Sequence, residues 1–353
     1  MLKVLMAGVD RNTKGGMWSV VENYLQDAGF SANVKLRYIP TASAGSKIQK
    51  AFCFAGGLVR IAFALLADRP DIVHLHVSER GSVRRKAMIA KLARAAGSKV
   101  ILHMHGAEFE TWYASLDADG QRRVRAFLNK ADCILILGEY WREFISGLVE
   151  DGSKIRALYN AVAVPEENRY DPGMKALLFL GEVGARKGVY DLLQAVRRID
   201  AQLPAETKLL LYGPNPDGDI QERILSLGLN ERVCYCGWAD RAQREAAFAS
   251  AAINVLPSYH EGLPMTILEA MAHGIPCITT SVAAIPEAVN EENGVLVPPG
   301  DVPALAEAIL ELICDAGLRK TKSEHAFRRA AEQFSIGNHC ESLMRIYSEL
   351  AER

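Results

Sequence analysis

Glu261 and Glu269 stand eight residues apart in the segment HEGLPMTILEAMAHGIPCITT (260–280), with Gly262, Leu263 and Pro264 between them. Pro264 fits the first turn of a helix, where its missing N–H costs nothing. Glu261 then falls in the preceding loop and Glu269 more than one turn inside. Unpaired N–H groups at the helix start lie between the two carboxylates and suit a diphosphate. Were the whole stretch helical, eight residues would span about 12 Å. A nucleotide sugar presents sugar hydroxyls, a diphosphate and ribose hydroxyls in series, and carboxylates accept from both hydroxyl sets. The competing reading is a helix with one glutamate near its cap and one exposed. The flanking glycine, proline and apolar pattern favour a ligand site.

Further chemistry clusters elsewhere. In FLGEVGARKGVYDLLQAV (179–196), Arg186 and Lys187 open a helix. Cations there oppose the helix dipole, which favours a functional reason over an ordinary basic helix start. In DRNTKGGMWSVV (10–21), Gly15 and Gly16 precede a helix and let backbone approach a ligand. In ILHMHGAEFE (101–110), His103 and His105 flank Met104 at a strand end and share a side of the sheet edge. His105 is the site candidate, and His103 reads as packed in the sheet. His74 and His76 repeat the pattern in DIVHLHVSERGS (71–82). No carboxylate or cysteine completes a metal set beside them. Ser78, Arg80 and Glu108 are candidates for an acceptor side, Glu108 serving equally well as a cap. Two Asp-x-Asp triplets, Asp117/Asp119 and Asp217/Asp219, sit before helices, where aspartate caps well, so no metal is expected. Gly181, Gly184 and Gly188 fit neither the dinucleotide fingerprint nor the P-loop.

These residues need a scaffold of strand ends. Apolar runs at 3–9, 34–40, 71–77, 99–105 and 132–138 alternate with helical patterns near 17–29, 46–67, 82–96, 118–130 and 139–150. Such alternation predicts a parallel sheet covered on both faces. Residues 158–175, with Pro165, Pro172 and Gly173, read as a linker. A second series follows, with strands at 176–181, 208–213, 232–237, 253–257, 276–280 and 294–298. Its helices are expected near 188–200, 219–227, 240–250, 264–273 and 301–314. A helical tail from Ala316 breaks near Ser335–Gly337. The expected domains are 1–165 and 166–335, with 336–353 as a helix crossing back to the first. Ligands of such sheets sit beyond the carboxyl ends of the strands.

Bulk properties narrow the class. With 353 residues, 49% hydrophobic and 24% charged, the chain reads as a globular protein of two domains. The apolar run at its start is too short for a signal peptide. The stretch 51–67 carries Arg60 and two glycines and reads as a packed helix, with membrane-surface contact as the alternative. Seven scattered cysteines fit a reducing compartment. Net charge is −1, but residues 1–165 hold 23 Lys and Arg against 15 Asp and Glu. A basic front half suggests an anionic partner, either nucleic acid, a membrane surface or a phosphorylated lipid, against the plainer reading of solvated helices. Arg84, Arg85, Lys86, Lys91 and Arg94 interleave with Met88, Ile89 and Leu92 on one helix that could lie on anionic headgroups or simply pack on the sheet.

On these motifs the chain resembles retaining glycosyltransferase family 4, of GT-B fold: two Rossmann-like doubly wound parallel-sheet domains facing across a cleft. Within that family HLHVSERGS and HMHGAEF resemble bacterial polysaccharide-assembly members. The resemblance implies that Glu261 contacts the transferred sugar and Glu269 the ribose. Gly262, Leu263, Pro264 and Met265 would border phosphate or sugar. The family shows Gly-Arg-x-x-x-x-Lys-Gly where this chain has Gly181-Glu182 and then Lys187-Gly188, so Lys187 would hold the diphosphate and Arg186 could replace the missing arginine. Gly15 and Gly16 would lie over the diphosphate, His105 near the donor sugar, and the loop at Gly213 near the nucleotide. Glu261, His105 and Lys187 are thus the expected catalytic set. The implied reaction is metal-independent hexose transfer from a UDP- or GDP-sugar, with no cofactor and no nucleic-acid partner. The implied acceptor is a saccharide carried on a lipid, met in the cytoplasm at the inner face of the membrane. A nucleotide-sugar epimerase of the same fold, and a non-catalytic nucleotide-sugar-binding protein suggested by Glu182, are the alternatives.

Overall fold

In the computed structural model, residues 1–13 and 16–352 are described. They form two compact units, one of residues 1–161 with the chain from Ile336 onward, the other Val162–Ser335. The division falls after Ala161, ahead of Pro165, because Val162 forms a bridge with Ser335 and its amide bonds Phe334 O at 2.8 Å.

The first unit is built on strands β1 (Leu2–Val9), β2 (Val34–Ala42), β3 (Ile72–Val77), β4 (Lys99–Met104), β5 (Cys133–Ile136) and β6 (Ile155–Ala157). All pair in parallel, in the order β2-β1-β3-β4-β5-β6. Their apolar runs are buried on both faces, as a sheet covered by helices requires. Helices α1 (Gly16–Gln26), α2 (Ala28–Asn33), α3 (Lys47–Ala67), α4 (Gly81–Ala95), α5 (Phe109–Ala114), α6 (Ala118–Asn129) and α7 (Tyr140–Ser146) connect them. The single helix expected over 17–29 is two, because the Asp27 side chain caps Phe30 N and restarts the chain as α2.

The second unit has strands β7 (Ala176–Leu180), β8 (Leu209–Tyr212), β9 (Val233–Gly237), β10 (Ala251–Leu256), β11 (Cys277–Thr280) and β12 (Gly294–Val297). They are again parallel, in the order β12-β11-β10-β7-β8-β9. Helices α8 (Val189–Ile199), α9 (Ile220–Ser226), α10 (Arg241–Ser250), α11 (Met265–Ala272), α12 (Ile285–Ala288), α13 (Val302–Cys314) and α14 (Ala316–Gln333) accompany them. The segment read as a linker is fastened to this unit. Tyr170 Oη donates to Ala252 O at 2.8 Å, and the buried Arg319 donates to Pro172 O at 2.6 Å. Arg319 also donates to Ile313 O at 2.7 Å, so a cation closes the carbonyl end of α13.

Helix α15 (Ile336–Ala351) returns to the first unit. Its Tyr347 Oη hydrogen-bonds His74 Nδ1 at 2.7 Å, and its His339 Nε2 bonds Tyr24 Oη at 2.7 Å. Tyr24, His74 and Tyr347 are wholly buried, so each bond satisfies groups that water cannot reach. Tyr347→Phe leaves His74 Nδ1 without that partner. It should destabilise the first unit by about 1–3 kcal/mol in chemical denaturation, with little change in the second.

Candidate functional site

In each sheet the strand order reverses at one place, and an open crevice forms there beyond the carboxyl ends of the diverging strands. In the second unit the chain runs from β7 to β8 and β9 on one side and resumes with β10 on the other, so the crevice lies beyond β7 and β10. The loop after β7 carries Glu182, Arg186 and Lys187, and the loop after β10 carries Ser258 and Glu261. The two loops are tied together. Tyr259 N donates to Arg186 O at 2.9 Å, and Arg186 Nη1 donates to His260 O at 3.3 Å. Gly188 sits at φ +69°, where a Cβ would come within 1.9 Å of Pro257 O. Gly213, at φ +142°, would place a Cβ 1.6 Å from Gly181 O. Both glycines are therefore dictated by loop contact as well as by backbone angle.

At this crevice Lys187 Nζ forms an ion pair with Glu261, and Ser258 Oγ donates to Glu261 Oε1 at 2.7 Å. Glu261 is buried and Lys187 nearly so, which makes the pair a charge-neutral unit held largely away from water. Helix α11 starts beside it. Pro264 stands at its N-cap, one position before the first turn expected of it, with Leu268 N bonded to Pro264 O at 3.5 Å. No side chain caps this helix, so its first amides, from Met265 onward, face the crevice end without an intrahelical acceptor. Leu263 is buried, and Gly262 O accepts from Ala284 N at 3.2 Å, fixing the turn between Glu261 and the helix. Since Glu261 lies outside the helix, the continuous helical spacing to Glu269 does not apply.

Glu269 is half-buried on α11 and pairs with Arg244 of α10. Burial raises its pKa and Arg244 opposes the rise. Sequence reasoning missed Arg244, because one arginine of an amphipathic helix looks like another. The only clue was that a carboxylate drawn partly out of water on α11 gains from a cation beside it. Ser258 was also missed, although its position three residues before Glu261 was a readable sign. Glu182 pairs with Arg186 at 3.7 Å, so its carboxylate faces a cation on its own loop. Asp117 caps Gly120 N at 2.7 Å and Asp119 pairs with Arg122 at 2.8 Å, while Asp219 accepts from Tyr190 Oη at 2.9 Å.

In the first unit the reversal falls between β1 and β3. Gly15 lies outside the described residues, and Gly16 opens α1. A cavity of about 280 Å³ is lined by Thr41, Ser43, Lys50, Ser78, Ser82 and Arg85, among others. Ser78 thus lines a cavity, whereas Arg80 and Glu108 form an ion pair at 3.6 Å. Arg80 holds φ +59°, a left-handed conformation that an arginine adopts only where the surroundings demand it. Glu108 makes no side-chain cap bond to α5. Lys86, expected on an exposed basic stripe, is buried with its ammonium on Thr41 Oγ1, and burial brings its pKa down to about 7. Ile89 of that stripe is buried too.

His105 belongs to a stack of four imidazoles. His76 Nδ1 and His105 Nε2 are 2.8 Å apart, His74 Nε2 and His103 Nδ1 are 3.2 Å apart, and the His103 and His105 rings lie 4.2 Å between centroids. His74, His76 and His103 offer ring nitrogens within 4.8 Å of one another. Both His74 nitrogens and His76 Nδ1 are committed to hydrogen bonds, leaving His76 Nε2 and His103 Nε2. A cation using all three rings would displace a hydrogen bond, so the donor set fits packing better than ligation.

Two parallel six-stranded units with crevices at their switch points are the architecture of a GT-B glycosyltransferase. Sucrose-phosphate synthase from Thermosynechococcus elongatus superimposes with a TM-score of 0.82 over 99% of both chains at 18% identity. HepE from Anabaena, solved with UDP, does so at 0.76 over 99% of this chain and 100% of its own, at 16% identity. A family model described as glycosyl transferases group 1 matches residues 174–315, and one described as glycosyl transferase 4-like domain matches 24–161. The chain belongs to this family of glycosyltransferases. It is 26% identical to the N-acetyl-alpha-D-glucosaminyl L-malate synthase of Bacillus anthracis over 75% of this chain and 71% of that protein. It is 23% identical to an uncharacterized 41.2 kDa protein in the cps region of Klebsiella pneumoniae over 96% of this chain and 98% of that one.

Burial holds the pKa of His74 and His105 down to about 3 and that of His339 to about 4, and puts His76 and His103 well below the usual histidine value. These imidazoles are neutral when folded and protonate near pH 6.5 when unfolded. The unfolded chain then binds more protons, so their stabilisation is complete above about pH 6.5 and lost as pH falls, by up to about 1.4 kcal/mol per pH unit for each ring. Thermal melts should show the first unit weakening from about pH 7.5 to about pH 5. A pH-independent melt would contradict the neutral stack.

Proposed function

We propose that this glycosyltransferase is a metal-independent, retaining hexosyltransferase. Its donor is a nucleotide diphosphate sugar, a UDP- or GDP-sugar, and its acceptor a saccharide carried on a lipid at the cytoplasmic face of the membrane, in bacterial surface polysaccharide assembly. One observation carries the reading: the Lys187–Glu261 pair at the β7/β10 switch point, beside the uncapped start of α11. HepE, of the same fold, is solved with UDP, and a 29% identical partial relative over 46% of this chain is the O-antigen chain mannosyltransferase B of Escherichia coli.

In this reading the pair is the centre of the donor site. The arriving diphosphate replaces Glu261 as the partner of Lys187, and the free amides from Met265 onward share its charge. Glu261, still held by Ser258, turns to the hydroxyls of the sugar. Glu269, kept in place by Arg244, takes the ribose hydroxyls. The bond from sugar carbon to phosphate oxygen breaks, the acceptor oxygen bonds to that carbon from the same face, and its proton passes to the departing phosphate oxygen. Lys187 and the helix amides stabilise the leaving group, the service a metal gives elsewhere. Arg186 is engaged with Glu182 and His260 O, so Lys187 is the principal cation. Gly213 shapes the nucleotide end. The cavity lined by Ser78 receives the acceptor.

Two variants test this together. Lys187→Ala should weaken UDP binding by at least about tenfold in calorimetry. Glu261→Gln should bind UDP as tightly as the wild type or more tightly, since a carboxylate competing for Lys187 is gone. Its turnover of UDP- or GDP-sugar should fall by about 10²–10³-fold, with wild-type activity surviving a chelator. Donor conversion without any acceptor would instead indicate an epimerase, and UDP affinity unchanged in Lys187→Ala would refute the site.

A further inference from the structure

Helix α3 carries a row of large apolar side chains with nothing packed on them. Ile48, Phe52, Val59, Phe63 and Leu66 are all exposed, Phe52 by 75%, Phe63 by 63% and Leu66 by 77%. At 100° per residue they fall within an arc of roughly 60°. The opposite side, with Gly57, Ile61, Ala64 and Leu65, is buried, and α3 packs on β2 and α4. On α4, Met88 and Leu92 are exposed as well. Single exposed leucines are ordinary, but a row of this length on one face marks a surface that meets something apolar.

The charges on the same two helices say what. Together α3 and α4 carry Lys47, Lys50, Arg60, Arg84, Arg85, Lys86, Lys91 and Arg94, and no aspartate or glutamate. Of these cations only Lys86 is buried. An apolar face set among cations alone fits the interface of an anionic bilayer, where acyl chains take the side chains and headgroups the charges. A second copy fits poorly, since a twofold contact through this face would set cations against cations. Although α3 is long and apolar enough to cross a membrane, its buried side is committed to the sheet, so it can lie in the interface but not span it. The cavity lined by Ser43, Lys50, Ser78 and Arg85 lies at the amino-terminal ends of α3 and α4.

We infer that the exposed face of α3, with Met88 and Leu92 of α4, is a docking surface for anionic lipid bilayers, seating the first unit on the membrane with its cavity at the headgroups. This deepens the lipid-carried acceptor reading and rests on it for its purpose. Docking itself is measured without donor or acceptor. The test is flotation of the full chain with vesicles of phosphatidylglycerol and phosphatidylethanolamine, against phosphatidylcholine alone. Binding is expected to the anionic vesicles, to fall with added salt, and to drop by roughly tenfold or more in Phe52→Glu/Phe63→Glu and separately in Arg84→Glu/Lys91→Glu. UDP binding, read in parallel, should be unchanged in both variants. That control shows the second unit intact, a wild-type denaturation midpoint shows the first unit folded in both variants, and loss of UDP binding in the wild type would fail the donor site and not the docking face. No flotation of the wild type, flotation of either double variant equal to that of the wild type, or a stable dimer in light scattering that Phe52→Glu/Phe63→Glu makes monomeric would overturn the inference.

Discussion

The ion pair between Lys187 and Glu261 joins two loops that are distant in sequence and meet because the second sheet reverses direction between β7 and β10. A buried pair of this kind is costly to assemble, since both ions leave water, and it persists only where hydrogen bonds complete it. Ser258 supplies one such bond, and the backbone links between Tyr259, Arg186 and His260 hold the loops at the required separation. Gly188 lets the first loop pass against Pro257. Much of the conformation of the crevice follows from keeping one lysine and one glutamate together near the amino end of α11.

That arrangement bears on the expectation of an arginine where this chain has Glu182, since a carboxylate aimed into the crevice would oppose an anionic ligand. Four residues later Arg186 neutralises it on the same loop. In the proposed donor site the phosphate-side charge then depends on Lys187 and on helix amides, and the amides cannot be neutralised by a neighbouring acid. A second carboxylate, the half-buried Glu269, meets its cation from a different helix, so the two ends of the crevice are balanced independently.

The alternation of strands and helices was legible because both sheets are buried on two faces, which writes each strand as an unbroken apolar run between amphipathic segments. Short elements such as α2, α5, α12 and β6 escaped, since a turn of helix or three paired residues leave no periodicity to read. Glu261, Glu269 and Lys187 stood out through flanking glycine and proline, whose backbone demands are visible in the sequence. Their partners did not. Arg244 acts through a contact between helices that spacing along the chain cannot reveal. Lys86 looked like part of a solvated stripe, yet its ammonium reaches Thr41 inside the domain. Whether a cation on an amphipathic helix faces water or the core depends on the rotation of that helix against its sheet, which a basic composition leaves open.

The return of α15 to the first unit bears on the order in which the protein takes shape during synthesis. Residues 162–335 form a contiguous unit, able to close as soon as they emerge, whereas the unit containing the start of the chain lacks the hydroxyl that pairs with His74 until Tyr347 has been made. The domain translated first is therefore completed last. Until then its histidine stack is short of one wall, and a chain interrupted near residue 335 would hold a finished second unit and an unsealed first one.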